Sequence, residues 1–147
     1  MTESATLLPK KRPEFRNINA FRDLPSYRLP AAGWVSILHR ISGAIMFALL
    51  PFVIWMFDVS ISSEISFARF KAAFEVGMLG LPGIVWKLLA LALIWAYLHH
   101  LIAGLRHLWM DARHAVSKEF GKSSALFTLV LGSVLTLALA LKLFGLY

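Results

Sequence analysis

Long stretches without charged residues alternate with short charged segments along the chain. Three such stretches contain 17, 18 and 19 residues without Lys, Arg, Asp or Glu, and the second holds two histidines. An α-helix needs about 20 predominantly apolar residues to cross a bilayer. Pro51 lies inside the first stretch and is expected to kink it, because proline removes a helical hydrogen bond. The pattern predicts an all-α integral membrane fold with three transmembrane helices in a bundle, near residues 34–57, 83–111 and 123–145.

A bundle of soluble helices is the alternative, and the composition argues against it. Hydrophobic residues make up 59% of the chain and charged residues 16%, against roughly 45–50% and 25% in a soluble domain. The mean hydropathy is +0.69. These values exclude a disordered chain and an ordinary soluble enzyme core. The chain has no cysteine, which excludes a disulfide scaffold, a cysteine-ligated iron–sulfur cluster and a zinc–thiolate site.

Basic residues are concentrated in two regions. The net charge of +7 alone would fit nucleic-acid binding, but residues 1–40 hold seven Lys or Arg, residues 106–122 hold four, and the loop 58–82 holds two. Basic loops of membrane proteins face the cytoplasm. We therefore expect the N-terminus and the second loop to be cytoplasmic and the C-terminus to lie outside. The expected partner of these charges is the lipid bilayer or a protein, with no nucleic acid.

The first 33 residues form a basic leader ahead of a transmembrane domain at 34–147. The leader lacks the apolar region of a signal peptide, and we expect it to be cytoplasmic. One alternative is that it binds anionic headgroups, at about 1 kcal/mol per basic residue. We favour contact with a partner protein, because apolar residues interrupt its charges, namely Phe15, Ile18, Phe21, Leu24 and Tyr27.

A first polar cluster lies at the start of the first predicted helix. Ionisable residues inside a span cost about 2.5–3.5 kcal/mol each at the helix centre, so they need a partner or a function. Ser36, Arg40 and Gly43 share one helical face, with His39 one position round. Snorkelling of Arg40 to the headgroups is one explanation. The hydroxyl and the glycine on that face favour close approach of a cofactor or a helix.

A second polar cluster forms a stripe along the second predicted helix. His100, Gly104, His107 and Asp111 recur at the spacing of one helical face, and His100 lies about 15 Å from the cytoplasmic end. Imidazole is a common metal ligand, and haem iron accepts histidine axially. Gly104 would leave room for a flat macrocycle. Arg106 and His107 are candidates to meet its acidic propionates.

Simpler explanations compete for these residues. A hydrogen-bonded histidine packed between helices is the alternative for His100, and we give His99 that role because it points away from the stripe. Asp111 is equally explained as a solvated interfacial charge. A low-spin haem needs a second axial ligand, and the third helix has no histidine. That ligand is either His39 or a residue of another chain. We favour another chain, because His39 lies nearer the membrane surface than His100.

Two motifs carry a resemblance to a known family. The sequence S-I-L-H-R-I-S-G stands at 36–43, and the pattern H-x-x-x-G-x-R-H-x-x-x-D stands at 100–111. With Arg12-Pro13 and Arg28-Leu29-Pro30 upstream, they resemble the cytochrome b subunit of succinate dehydrogenase, a membrane anchor of respiratory complex II. The resemblance runs from about residue 12 to the end, although the third helix matches in hydropathy alone.

The resemblance implies a bacterial inner-membrane subunit with no catalytic residue of its own. In this family a second small membrane anchor shares one haem b, and a flavoprotein and an iron–sulfur subunit dock on the cytoplasmic side. Succinate oxidation, a step of the tricarboxylic acid cycle, sends electrons through iron–sulfur clusters to a quinone; we favour ubiquinone over menaquinone. The implied site residues are His100 as haem ligand, Ser36 and Arg40 at the quinone, and His39, Arg106 and His107 near the propionates.

The residue types suit that chemistry. A quinone carbonyl needs a hydrogen-bond donor, which Ser36 supplies, and Arg40 stabilises the negative charge that develops on reduction. Three other functions compete: a fumarate reductase anchor running in reverse, a purely structural haem-free anchor, and an ion transporter. The transporter is disfavoured, because Asp111 is the one carboxylate within the predicted spans and no inverted repeat is visible.

Overall fold

The computed structural model describes residues 19–23, 25–115 and 117–146. Most of the predicted leader, including its basic residues Lys10, Lys11, Arg12 and Arg16, lies outside the described residues. Within the described ranges the elements in chain order are α1 (Ala20–Asp23), α2 (Ala31–Ala48), α3 (Leu50–Ile61), α4 (Glu64–Glu75), β1 (Gly77–Met78), β2 (Leu81–Pro82), α5 (Gly83–Arg113) and α6 (Lys118–Leu143).

Helices α2, α5 and α6 are long and apolar enough to cross a membrane. Helix α5 packs against both α2 and α6, and α2 also contacts α6, so the three form one bundle. The predicted all-α membrane fold is confirmed. The observed helix ends differ from the predicted ones: α5 continues to Arg113, and α6 begins at Lys118, where the hydroxyl of Ser117 caps it by accepting the N–H of Phe120.

The first predicted span is divided into two helices. Helix α2 ends at Ala48 and α3 begins at Leu50, with Leu49 between them at φ −92° and ψ 5°. Pro51 stands in the first turn of α3, where its missing N–H removes no helical bond and its fixed φ suits a helix start. The irregularity expected at Pro51 is therefore observed, as a break between two helices instead of a kink in one.

The segment between the first and second spans is folded, although the sequence indicated a loop. Helix α4 begins with a capping box, in which the hydroxyls of Ser63 and Ser66 each accept the other residue's backbone N–H. The usual signature carries Glu or Gln at the second position, so the serine pair is a weaker signal. A hairpin of β1 and β2 follows. Its turn residues Leu79 and Gly80 have φ 54° and 75°, as tight hairpin turns require.

Most of the buried side chains of the bundle are small. Val35, Ala103 and Ala125, one from each spanning helix, form a buried cluster with no exposed surface. Small residues let helices approach closely inside a membrane. Large apolar side chains point outward instead, as expected for a surface that meets lipid or another subunit; they include Phe47, Ile54, Phe57, Leu105, Leu108, Val130 and Leu137.

Gly83→Ala is predicted to destabilise the contact between α4 and α5. A Cβ at Gly83 would lie 2.5 Å from the carbonyl oxygen of Phe74, and a backbone atom cannot yield as a flexible side chain does. We expect a loss of about 1–3 kcal/mol, the usual cost of overpacking, seen as a lower thermal midpoint of the detergent-solubilised protein. Gly121→Ala is the matched control, since a Cβ there meets nothing within 4 Å. Equal midpoints for the two variants would contradict this packing.

Candidate functional site

Imidazole rings meet where α2 packs against α5. The rings of His39 on α2 and His100 on α5 stack with centroids 4.0 Å apart and planes 15° apart. His107, about two turns along α5, presents its ring edgewise to His39 at a centroid distance of 5.4 Å. The structure thus brings together three of the residues that the sequence indicated as candidate site residues. We call His39, His100 and His107 the imidazole cluster.

One turn of α2 holds the Nδ1 atom of His100. This atom lies 3.1 Å from the carbonyl oxygen of His39 and 3.2 Å from Oγ of Ser42. The Ser42 hydroxyl donates to the same carbonyl over 2.8 Å. Because a carbonyl oxygen only accepts, Nδ1 carries the hydrogen and Nε2 keeps a free lone pair. Nε2 of His100 makes no hydrogen bond within the described ranges, so its lone pair is available to a metal.

Two glycines border the imidazole cluster. A Cβ at Gly43 would lie 3.1 Å from Cε1 of His100, and a Cβ at Gly104 would lie 3.6 Å from Nε2 of His39. The first distance is tighter than an ordinary contact, so the close approach of α2 to His100 depends on Gly43. The second is ordinary van der Waals contact. The space beside Gly104, where a macrocycle was expected, is therefore bordered by the side chain of His39.

A ring nitrogen of the imidazole cluster is buried without a partner. Nε2 of His39 is fully enclosed and makes no hydrogen bond among the residues that the structure describes. Leaving a buried polar atom unsatisfied costs about 1–3 kcal/mol. His39 is thus a position where a hydrogen-bonding group from another molecule would lower the free energy.

His99 lies on a different side of α5 and faces α6. It is 2% exposed and stacks on Trp95 with ring centroids 5.6 Å apart. Its Nδ1 would lie 3.9 Å from a Cβ at Gly132 of α6. His99 is therefore packed between helices as predicted, but its buried Nε2 makes no hydrogen bond among the described residues, so the hydrogen bond expected for this histidine is not observed at that nitrogen.

Arg106 connects α5 to the beginning of α6. Its Nε donates to Oγ of Ser124 over 2.9 Å, and its Nη2 donates to the carbonyl oxygen of Gly121 over 3.1 Å. The guanidinium thus has a structural role that its sequence context did not indicate. A propionate contact for Arg106 stays a prediction, and no described contact supports it.

The candidate quinone residues lie one turn apart on α2, beside the imidazole cluster. Ser36 is half-buried and Arg40 is exposed. Within the described ranges, Arg40 makes no hydrogen bond or ion pair, so its donors are open to a ligand. Asp111, at the other end of the polar stripe, is also exposed. Its role as a solvated charge or as part of a site stays a prediction.

The grouping of side chains distinguishes a metal-ion site from a haem site. Within the described ranges, no three or more His, Cys, Asp or Glu side chains are grouped as a metal ion would require. Haem needs only an axial ligand from the chain, because the porphyrin supplies the other nitrogens.

Sequence reasoning missed Ser42: it indicated Ser36 as the important hydroxyl of the 36–43 motif, and nothing in the motif marks Ser42 as the residue in contact with His100.

The fold and the imidazole cluster define a class: a multi-pass membrane protein with three spanning helices and histidines packed between two of them. The chain belongs to the family described as succinate dehydrogenase/fumarate reductase transmembrane subunit, which it matches over residues 10–139. The family indicated by the two sequence motifs is thereby confirmed.

Individual relatives agree with the family. The chain is 33% identical over 123 residues to the succinate dehydrogenase cytochrome b556 subunit of Paracoccus denitrificans, covering 82% of this chain and 87% of the relative. It is 33% identical over 119 residues to the protein of the same name from Coxiella burnetii, covering 80% and 89%. With the succinate dehydrogenase cytochrome b560 subunit of Reclinomonas americana it shares 30% identity over 96 residues, 65% of each chain.

Arg106→Ala is predicted to loosen the packing of α5 against α6. The substitution leaves the Gly121 carbonyl and the Ser124 hydroxyl without their cationic donor. We expect a loss of about 1–3 kcal/mol, measured as a lower thermal midpoint of the detergent-solubilised protein. Arg113→Ala is the control, because Arg113 lies over the exposed ring of Trp109 and such a contact contributes only about 0.5–1 kcal/mol. If both variants lower the midpoint equally, the role given to Arg106 is wrong.

Proposed function

We propose that this chain is the cytochrome b subunit of succinate dehydrogenase, a membrane anchor that binds haem b together with a second small anchor subunit. One observation carries the proposal: Nδ1 of His100 is hydrogen-bonded to the His39 carbonyl, and Nε2 is left free. Metal-ligating histidines are oriented in this way, by a backbone carbonyl or a carboxylate on the other ring nitrogen. The names of the relatives from Paracoccus denitrificans and Coxiella burnetii, which contain "cytochrome b556", point to the same cofactor.

The residues around His100 fit a haem group. The unpartnered Nε2 of His39 and the neighbouring ring of His107 are the groups of this chain that would meet propionate oxygens. When bound, haem supplies one-electron redox chemistry. The chain's own residues orient the ligand and hold its proton at Nδ1.

The second axial ligand would come from the partner anchor. A haem held by both His39 and His100 would need space between their two rings. The rings of His39 and His100 are stacked 4.0 Å apart, which leaves no room for a macrocycle between them. Of the two sources that the sequence left open, this geometry favours another chain over His39.

The quinone would be bound at the α2 surface that carries Ser36 and Arg40. The hydroxyl of Ser36 donates a hydrogen bond to a quinone carbonyl, and the Arg40 guanidinium stabilises negative charge as the quinone is reduced. The exposure of Arg40 supports this role, because an exposed cation at the end of a span is accessible to a ligand. Ubiquinone is the quinone type that we favour.

The complex would be oriented with its N-terminus and its basic second loop in the cytoplasm of a bacterium and its C-terminus outside. A flavoprotein and an iron–sulfur subunit would dock on the cytoplasmic side, where succinate is oxidised in the flavoprotein. Electrons would pass from the iron–sulfur clusters to quinone, linking the tricarboxylic acid cycle to the respiratory chain. The family description also includes fumarate reductase, which makes the reverse direction the second candidate function.

His100→Leu is predicted to abolish haem binding in the assembled complex, because leucine offers no ligand to iron. The measurement is haem content per flavin, from the reduced absorption spectrum of the purified complex. His99→Leu is the matched control, since His99 is a neighbouring histidine packed against Trp95. It should retain haem. Loss of haem in His99→Leu with retention in His100→Leu would mean that the ligand is misassigned by one residue, and retention in both would reject a histidine ligand on this helix.

Arg40→Ala is predicted to impair quinone reduction by at least tenfold, the scale of about 1.4 kcal/mol or more for a lost charged hydrogen bond. Succinate oxidation by an artificial dye acceptor should be unchanged, because that reaction bypasses the quinone site. Lys118→Ala, which removes another exposed cation, is the control and should leave both activities unchanged. An equal loss of both activities in Arg40→Ala would indicate failed assembly, and normal quinone reduction would remove Arg40 from the site.

A further inference from the structure

We propose that Ser42 is a positioning residue for haem: its hydroxyl holds His100 in the tautomer and ring orientation that direct Nε2 towards iron. This inference rests on the proposed function, because it requires His100 to be the axial ligand. Ser42 itself would touch neither iron nor quinone.

Three short contacts join Ser42, the His39 carbonyl and the ligand His100 to one another. Ser42 is fully buried, at 0% exposure, where α2 packs on α5. Its Oγ lies 3.2 Å from Nδ1 of His100 and donates to the His39 carbonyl oxygen over 2.8 Å. The same carbonyl lies 3.1 Å from Nδ1. One serine, one carbonyl and one imidazole thus form a closed triangle of hydrogen-bonding atoms.

The directions of these bonds follow from what each atom can do. The carbonyl only accepts, so its contact with Nδ1 requires a hydrogen on Nδ1. The Ser42 hydroxyl gives its own hydrogen to the carbonyl and turns its lone pairs towards Nδ1–H. A hydroxyl that donated to Nδ1 would impose the other tautomer, in which Nε2 carries the hydrogen and cannot bind a metal. The triangle therefore favours the ligating tautomer.

Ser42 is needed because the His39 carbonyl is shared. A carbonyl oxygen has two lone pairs, and this one is also the helical acceptor for the N–H of Gly43. With Ser42 and His100 it receives three donors, so its bond to Nδ1–H is weaker than a dedicated one. The Ser42 oxygen supplies a second acceptor to the same hydrogen. The imidazole is further confined by the stacked His39 ring and by the close approach of Gly43.

This second acceptor has consequences for iron. A fully accepted Nδ1–H makes the imidazole a stronger electron donor, which stabilises the ferric state and strengthens the iron–nitrogen bond. Removal of the Ser42 hydroxyl should therefore raise the haem reduction potential and accelerate haem loss. A side chain that served only to fill space would change neither quantity.

The test uses the complete complex carrying Ser42→Ala, purified with all its subunits. We expect haem transfer to an excess of a haem-scavenging apoprotein to be about tenfold faster, the lower end of the effect of losing such a supporting partner. The haem reduction potential, measured by spectroelectrochemical titration, should be higher than in the wild type. Thr128→Val is the matched control. Thr128 is 1% exposed and its hydroxyl donates to a carbonyl of its own helix, the one at Ser124.

The outcomes separate this inference from the function on which it rests. Wild-type rate and potential in Ser42→Ala, in a complex that holds haem through His100, would overturn the role of Ser42 alone. A wild-type complex without haem would overturn both proposals. If Ser42→Ala does not assemble, Ser42→Cys decides: sulfur is a weaker acceptor of similar placement, so the potential should still rise, and a wild-type potential would overturn the role.

Discussion

The contact between α2 and α5 is the interaction on which the site depends. A helix in hydrocarbon must satisfy its polar groups internally, yet two half-buried imidazoles and a buried hydroxyl lie at this contact. The His100 ring and the Ser42 hydroxyl are accommodated because the His39 carbonyl and the Ser42 hydroxyl together receive Nδ1–H of His100. Gly43 permits the close approach that these bonds need. On the other side of α5, Arg106 joins the helix to α6, so the polar residues fix both neighbours of the central helix.

Two ring nitrogens at this contact make no hydrogen bond within the part of the chain that the structure describes, and they give the site its proposed chemistry. Nε2 of His39 is buried without a partner among the described residues, and Nε2 of His100 retains a free lone pair. A hydrogen-bonding group and a metal are the natural partners of these two atoms. Both are present in a haem group, through its propionates and its iron. The match between these two nitrogens and the iron and propionates of haem is our physical reason for proposing haem as the cofactor of this chain.

Hydropathy and helical spacing predicted much of the fold and part of the site. The three spans follow from uncharged length, and the shared helical face of His100 and His107 follows from their spacing. The choice of His100 as haem ligand stays a prediction. Helix α4 was missed because its capping box uses Ser63 and Ser66 in place of a serine–glutamate pair. The contacts of Ser42 and Arg106 join residues far apart in sequence, and helical periodicity carries no information on which face of one helix meets another. Only the structure identifies the residues that these two side chains contact.

Haem binding by this chain is tested most directly by the dithionite-reduced minus oxidised visible spectrum of the complex purified through a tag on it. Haem binding through His100 predicts a sharp low-spin b-type α-band, together with co-purifying flavoprotein and iron–sulfur subunits. An intact assembly with no haem band would contradict it. His100 would then be a packing residue, and the chain would be a structural anchor for the other subunits.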